Sequence, residues 1–123
     1  MNETKHNTTV GYFTERIDHF KNLIRCLNSD DRTDEAVFAK IQMNVYDIFN
    51  TIFSAAIKTS GQNDGEAVQF FLTKLDQIPK NWRNSLAGAQ AHGDAEKAHI
   101  ERIKLDTAEE IGKVFKKIWE VNP

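Results

Sequence analysis

The chain is predicted to be all-α, an up-down-up-down four-helix bundle built from two αα-hairpins. Three observations predict it. Apolar residues recur at spacings of three and four along four long segments. Breaks rich in Gly, Asn, Asp or Pro punctuate those segments. No alternating β-branched run bounded by turns reads as a strand.

Residues 1–8 are expected to be a disordered tail, followed by one helical domain over 9–121. The first helix is expected to start at Thr8 or Thr9, either of which can cap free backbone N–H groups. Its apolar seam is Val10, Phe13, Ile17, Phe20, Ile24 and Leu27, with Glu15, Arg16, Lys21, Asn22 and Arg25 on the wet side. The turn Asn28–Asp34 leads into a second helix, with Thr33 or Asp31 as N-cap and Asp34 and Glu35 favouring the helix start. That helix runs to about Lys58 and carries two apolar rows. One is Phe38, Ile41, Val45, Ile48, Ile52 and Ala55; the other is Met43, Tyr46, Phe49, Phe53 and Ala56. So wide a surface needs more than one neighbour, and this helix is expected to be the most buried.

Thr59–Gly65 is the clearest break, with Gly61 suited to a left-handed C-terminal position and Asn63 three residues before Glu66 as in a capping box. The third helix carries Val68, Phe71, Leu72, Leu75 and Ile78. Pro79 then either kinks it or separates it from a following helix. Gly93-Asp94 reads as a stop and a new cap. The last helix runs to about Trp119 with Ile100, Ile103, Thr107, Ile111, Val114, Phe115 and Ile118 inward. The hairpins so defined are about 9–58 and 66–120.

Two matches suggest a pseudo-repeat. Lys40–Phe53 aligns with Arg102–Phe115, pairing Ile41 with Ile103 and Phe53 with Phe115. Val10–Phe20 aligns with Val68–Ile78, pairing Val10 with Val68, Phe13 with Phe71 and Asp18 with Asp76. Amphipathic helices share a period, so one match alone means little. Two in the same order carry more weight.

Composition excludes several function classes. The 123 residues fit one domain, and 40% hydrophobic content with eight Phe supplies a core. Sixteen basic residues are offset by 18 acidic ones, unlike a dedicated nucleic-acid binder. The single Cys26 permits neither an intrachain disulfide nor a zinc cluster, and fits a reducing cytoplasm. The polar N-terminal segment is not read as a signal peptide, and no apolar run approaches a bilayer span.

Candidate chemistry is sparse. Di-iron bundles repeat a Glu-x-x-His motif on two helices; this chain has one, Glu96 and His99. His92 joins their side only if the helix is continuous across Gly93. Glu15 and His19 share a face away from the apolar seam. Each of these reads first as solvated surface. Cys26 reads as a buried small hydrophobe. Gly61–Gly65 lacks the lysine and preceding strand of a phosphate loop. The acidic turn of Asp30, Asp31, Asp34 and Glu35 suits a basic partner, or simply starts a helix. Lys113, Lys116 and Lys117 give the last helix a basic side that suits an anionic surface, or simply complements the helix dipole. The double stripe with Met43, Tyr46, Phe49 and Phe53 exceeds ordinary need and suits intramolecular burial or a dimer groove.

The expected function is a non-enzymatic, cytoplasmic bundle without cofactor, acting by protein–protein contact, as an adaptor, chaperone or immunity-type protein, with homodimerisation open. The expected contacts are Asp30, Asp31, Asp34, Met43, Tyr46, Phe49 and Phe53; nucleic acid and membrane are not expected partners. The alternative is a metal- or ligand-binding bundle using Glu96, His99 and His92. A weaker one is a nucleic-acid regulator using Lys80, Arg83, Arg102 and Lys104.

Overall fold

Four helices account for nearly all of residues 2–121, which the computed structural model describes: α1 (Glu3–Ser29), α2 (Thr33–Ser60), α3 (Asp64–Ala91) and α4 (Ala95–Ile118). Side-chain caps start three of them. Asn2 accepts from the Lys5 N–H at 3.0 Å, Asn63 from Glu66 at 3.0 Å and Asp94 from Lys97 at 3.1 Å. The exception is α2, whose N-cap, Arg32, makes no side-chain cap bond. Neither Thr33 nor Asp31 caps it. Asp34 and Glu35 in the first turn supply the favourable charge instead, and Glu35 pairs with Arg32.

The expected start at Thr8 or Thr9 is corrected. Residues 3–8 are helical, not a tail. The Thr8 and Thr9 hydroxyls donate back to the carbonyls of Thr4 and Lys5, both at 2.8 Å, a bond that a threonine inside a helix can make. Pro79 lies inside one continuous helix, so it does not separate two.

Left-handed residues end the helices. Gly61 has φ 57° and Gly93 φ 69°. Asp31 and Glu120 take the same conformation without the freedom of glycine. Behind three of them the next N–H reaches back to an orphan carbonyl: Arg32 to Leu27 at 2.9 Å, Asp94 to Ala89 at 2.8 Å and Val121 to Lys116 at 2.9 Å.

Short turns force neighbouring helices to run antiparallel. Helix α1 packs on α2 and α3 on α4, while α2 lies against the other three. One end of the bundle gathers the start of α1, the start of α3 and the end of α4. There the Asn2 N–H donates to Asp64 at 2.9 Å, Lys5 pairs with Glu120 at 3.0 Å, and the Trp119 indole donates to buried Thr9 Oγ1 at 2.9 Å.

An aromatic cluster forms the centre, with at least one ring from each helix: Phe13, Phe49, Phe53, Phe71 and Phe115, all buried. Phe71 stacks on Phe115 with centroids 4.0 Å apart. Phe13, Phe49 and Phe53 surround Phe71 at 6.3, 6.0 and 6.2 Å. The residues matched by the repeat, Phe13 with Phe71 and Phe53 with Phe115, therefore meet at one place.

Helix α2 buries more residues than any other, as expected, and does so mainly through its second row. Of the first row only Val45 is buried; Ile48 is 39% exposed. In the second row Tyr46, Phe49, Phe53 and Ala56 are buried and Met43 is half-buried. Because α2 meets α4 as well as α1 and α3, the row aimed between them is central. Val10 on α1, also expected inward, is 39% exposed.

Phe71 is 0% exposed and touches rings from the other three helices. Phe71→Ala is therefore expected to cost about 3–5 kcal/mol in urea unfolding, whereas Val37→Ala, at a side chain 54% exposed, should change stability by less than about 0.5 kcal/mol. A Phe71→Ala cost below about 1.5 kcal/mol would mean that the cluster is not the centre of the core.

Candidate functional site

Two grooves stand out on the bundle surface among the described residues. The larger, about 760 Å³, runs between α3 and α4. Leu75, Pro79 and Arg83 line it from α3; Leu105, Ala108, Glu109, Gly112, Lys113, Lys116 and Lys117 line it from α4, with Val121 beyond. Small residues open it. Gly112 sits so close to α3 that a Cβ there would be 3.0 Å from Leu75 Cδ2. Pro79 is buried and has no N–H to give to the Leu75 carbonyl. The floor is apolar and the rim basic. Arg83, Lys113, Lys116 and Lys117 face one carboxylate, Glu109, which pairs with Lys113 at 3.6 Å. Among the described residues Arg83, Lys116 and Lys117 make no ion pair within 4.0 Å.

The smaller groove, about 500 Å³, lies between α1, α2 and α4. The Arg16 guanidinium sits over the rings of Phe20 and Tyr46 at 5.2 and 5.6 Å, opposite Asp106 and Glu110 of α4. Tyr12 Oη is buried there beside Tyr46, and among the described residues it makes no hydrogen bond within 3.5 Å. Burial first, then Tyr46 and the Glu110 charge, hold the Tyr12 phenol protonated far above its usual range.

The other candidates are placed as follows. Asp30, Asp31 and Asp34 are exposed at the α1–α2 turn. Tyr46, Phe49 and Phe53 are buried, so the expected partner stripe is core; a bundle of four helices needs this face inside. Tyr46 alone of them edges a groove. His92 caps α3 and its Nδ1 lies 2.8 Å from the Gly88 carbonyl, while Gly93 breaks the helix, so His92 does not share a continuous face with His99. The His99 ring packs edge-on against Phe38, with centroids 4.7 Å apart, and Glu96 is exposed. His19 packs edge-on against Phe20 and is exposed, as is Glu15. Among the described residues no three His, Cys, Asp or Glu side chains cluster closely enough to hold a metal.

Cys26 is exposed, which corrects the buried reading; it lies one step around α1 from buried Leu27. Of the four cations of the nucleic-acid reading only Arg83 lines the basic groove. Lys80 pairs with Asp76, and Lys104 turns to Glu101 and the Trp82 ring. Glu101 is a buried carboxylate that no sequence pattern marks; Oε1 accepts from Lys104 at 3.2 Å, and among the described residues Oε2 has no partner.

No protein-family model matches the chain, and neither a curated protein nor a solved structure matches it. Among the described residues no helix is long and apolar enough to cross a membrane.

Tyr12 makes the smaller groove testable by pH. In the unfolded chain a tyrosine ionises near pH 10. In the folded protein Tyr12 keeps its proton to higher pH. Its contribution is therefore fully present below about pH 10 and is lost as pH rises further, because the unfolded state releases the proton first. Urea unfolding between about pH 9 and 11 should show a decline in stability that is shallower in Tyr12→Phe. Equal slopes would mean that the phenol is not desolvated.

Proposed function

We propose that this protein is a non-enzymatic helical bundle that acts by binding a protein partner, and that the α3–α4 groove is its binding surface. The observation that carries the reading is a long apolar floor beside four cations that face one carboxylate. The groove floor borders the core, with Ala108 in it and Leu75 and Val121 packed against it, while the aromatic cluster lies outside the groove lining. Apolar surface framed by charge is how a protein interface differs from ordinary wet surface. The reading places the protein in the cytoplasm, where an exposed, unpaired Cys26 remains reduced. A near-even balance of 16 basic and 18 acidic residues argues against a nucleic-acid partner.

A second copy of the chain is the other partner with a specific observation behind it. Val37 and Ile48 are exposed on α2, beside half-buried Ile41 and Ile52. This row, and not the Phe49–Phe53 row, is the one available for self-association.

The test is affinity capture with the intact chain, the variants Leu105→Glu and Lys116→Glu/Lys117→Glu, and a control, Lys97→Glu, at an exposed site outside the groove. A stoichiometric protein should be retained by the wild type and the control and lost by both groove variants. Thermal midpoints of Lys116→Glu/Lys117→Glu and of the control should stay within about 3 °C of wild type, since solvated charges contribute little to stability, and circular dichroism checks that Leu105→Glu, at a half-buried site, is folded. Retention by the groove variants, or no stoichiometric protein at all, would overturn the reading. Light scattering across concentration tests the second copy: a dimer abolished by Ile48→Glu supports it, and a monomer excludes it.

A further inference from the structure

We infer that the α3–α4 groove takes an acidic amphipathic helix of the partner, laid along α4 from Leu105 to Lys117. The inference rests on the reading of this groove as a protein-binding surface and adds the chemistry of what occupies it.

Shape is the first argument. The α4 residues of the groove, Leu105, Ala108, Glu109, Gly112, Lys113, Lys116 and Lys117, repeat at i, i+3 and i+4, a stripe along one face of the helix. Leu75, Pro79 and Arg83 form a parallel ridge of i, i+4, i+8 on α3. A valley between two helix ridges is the counterpart of a third helix. From Leu105 to Lys117 the stripe is about 18 Å long at 1.5 Å per residue, enough for about three turns of a partner. Ala108, Gly112 and Pro79 lie low between Leu75 and Leu105, so the middle of the valley has room for large apolar side chains.

Backbone chemistry selects a helix over an extended peptide. The walls are helices whose backbone N–H and C=O groups are used internally, save the Leu75 carbonyl that Pro79 leaves without its helical partner. An extended peptide would set unpaired amides on an apolar floor, which is costly. A helix satisfies its own backbone and presents only side chains.

Charge selects the sign. Four cations face one carboxylate in the groove, whereas the whole chain carries two more acidic than basic residues. Glu109 is already opposite Lys113. Lys113, Lys116 and Lys117 border one side of the valley and Arg83 the other, so carboxylates flanking the partner's apolar face meet cations on both edges. A flat anionic bilayer would meet the lysines but would not reach the recessed Gly112 and Pro79.

The test uses the full chain and three synthetic 16-residue helical peptides with one apolar face of leucines, flanked by Glu, by Gln or by Lys. Fluorescence anisotropy should show the Glu peptide binding at least about tenfold more tightly than the Gln peptide, and the Lys peptide more weakly still. The advantage should shrink as salt rises. Lys116→Glu/Lys117→Glu, with its helicity checked by circular dichroism, should reverse the preference towards the Lys peptide. Equal binding of Glu and Gln peptides, both lost in Leu105→Glu, would overturn the acidic partner and leave the protein-binding groove standing. Binding of none of the peptides would overturn the helical occupant, while the capture experiment would still decide whether the groove holds a protein. Binding to phosphatidylserine vesicles that Lys116→Glu/Lys117→Glu abolishes, without peptide binding, would overturn both in favour of a membrane surface.

Discussion

The stacked pair of Phe71 and Phe115 is the interaction on which the rest of the bundle depends. It joins α3 to α4 at a centroid separation of 4.0 Å, and the rings of Phe13, Phe49 and Phe53 close around it. One cluster thus fixes the position of all four helices. Burial of large rings dominates a core of this size, and ring geometry adds orientation to what burial supplies without direction. Helix α2 contributes two of the five rings and, like α4, lies against every other helix.

That cluster also locates the asymmetry of the molecule. If the two hairpins were equivalent, the α1–α4 contact would resemble the α2–α3 contact. It does not: α2 and α3 pack along their length, whereas α1 meets α4 only briefly. The smaller groove fills the difference, with Arg16, Asp106 and Glu110 in place of interdigitated apolar residues. Repeat positions with charged partners, such as Ile48 matched to Glu110, are where the second hairpin stops imitating the first. Helix α1 is nevertheless held at the far end, where the Trp119 indole bonds Thr9 and Lys5 meets Glu120.

Periodicity made the four helices legible, because every helix must bury one stripe. Local backbone needs made Gly61, Asn63 and Asp94 legible as punctuation. What periodicity leaves open is which of two adjacent stripes faces inward. On α2 that is decided by α4, a neighbour distant in sequence, so Ile48 is exposed and Phe49 buried. The start of α1 was obscured because a threonine that caps and a threonine that bonds back to i−4 are the same residue in a sequence. Cys26 was misplaced for a related reason: adjacency to Leu27 along the chain is a turn of about 100° around the helix. Lys113, Lys116 and Lys117 stood out as a basic side of α4, but Arg83 joins them only through the register of α3 against α4. In that register the Leu75 side chain packs directly over Gly112.

The two features that shape the groove have one physical origin. Small residues on α4 let α3 side chains settle onto it: Leu75 packs over Gly112, with Ala108 one turn away. Small residues at a crossing leave a shallow valley on the outer side of the same helix pair, because they have no side chains to fill it. Pro79 deepens this: its ring is buried in the groove lining and it withdraws a hydrogen bond from Leu75. The cations then frame the valley without entering it, since long lysine and arginine chains lay their apolar stems along the wall and keep their charges in water. An apolar valley with a charged frame is thus a by-product of tight packing beneath it. The positive sign of that frame, in a chain of net charge −2, is not, and it is the sign on which the proposed acidic partner rests.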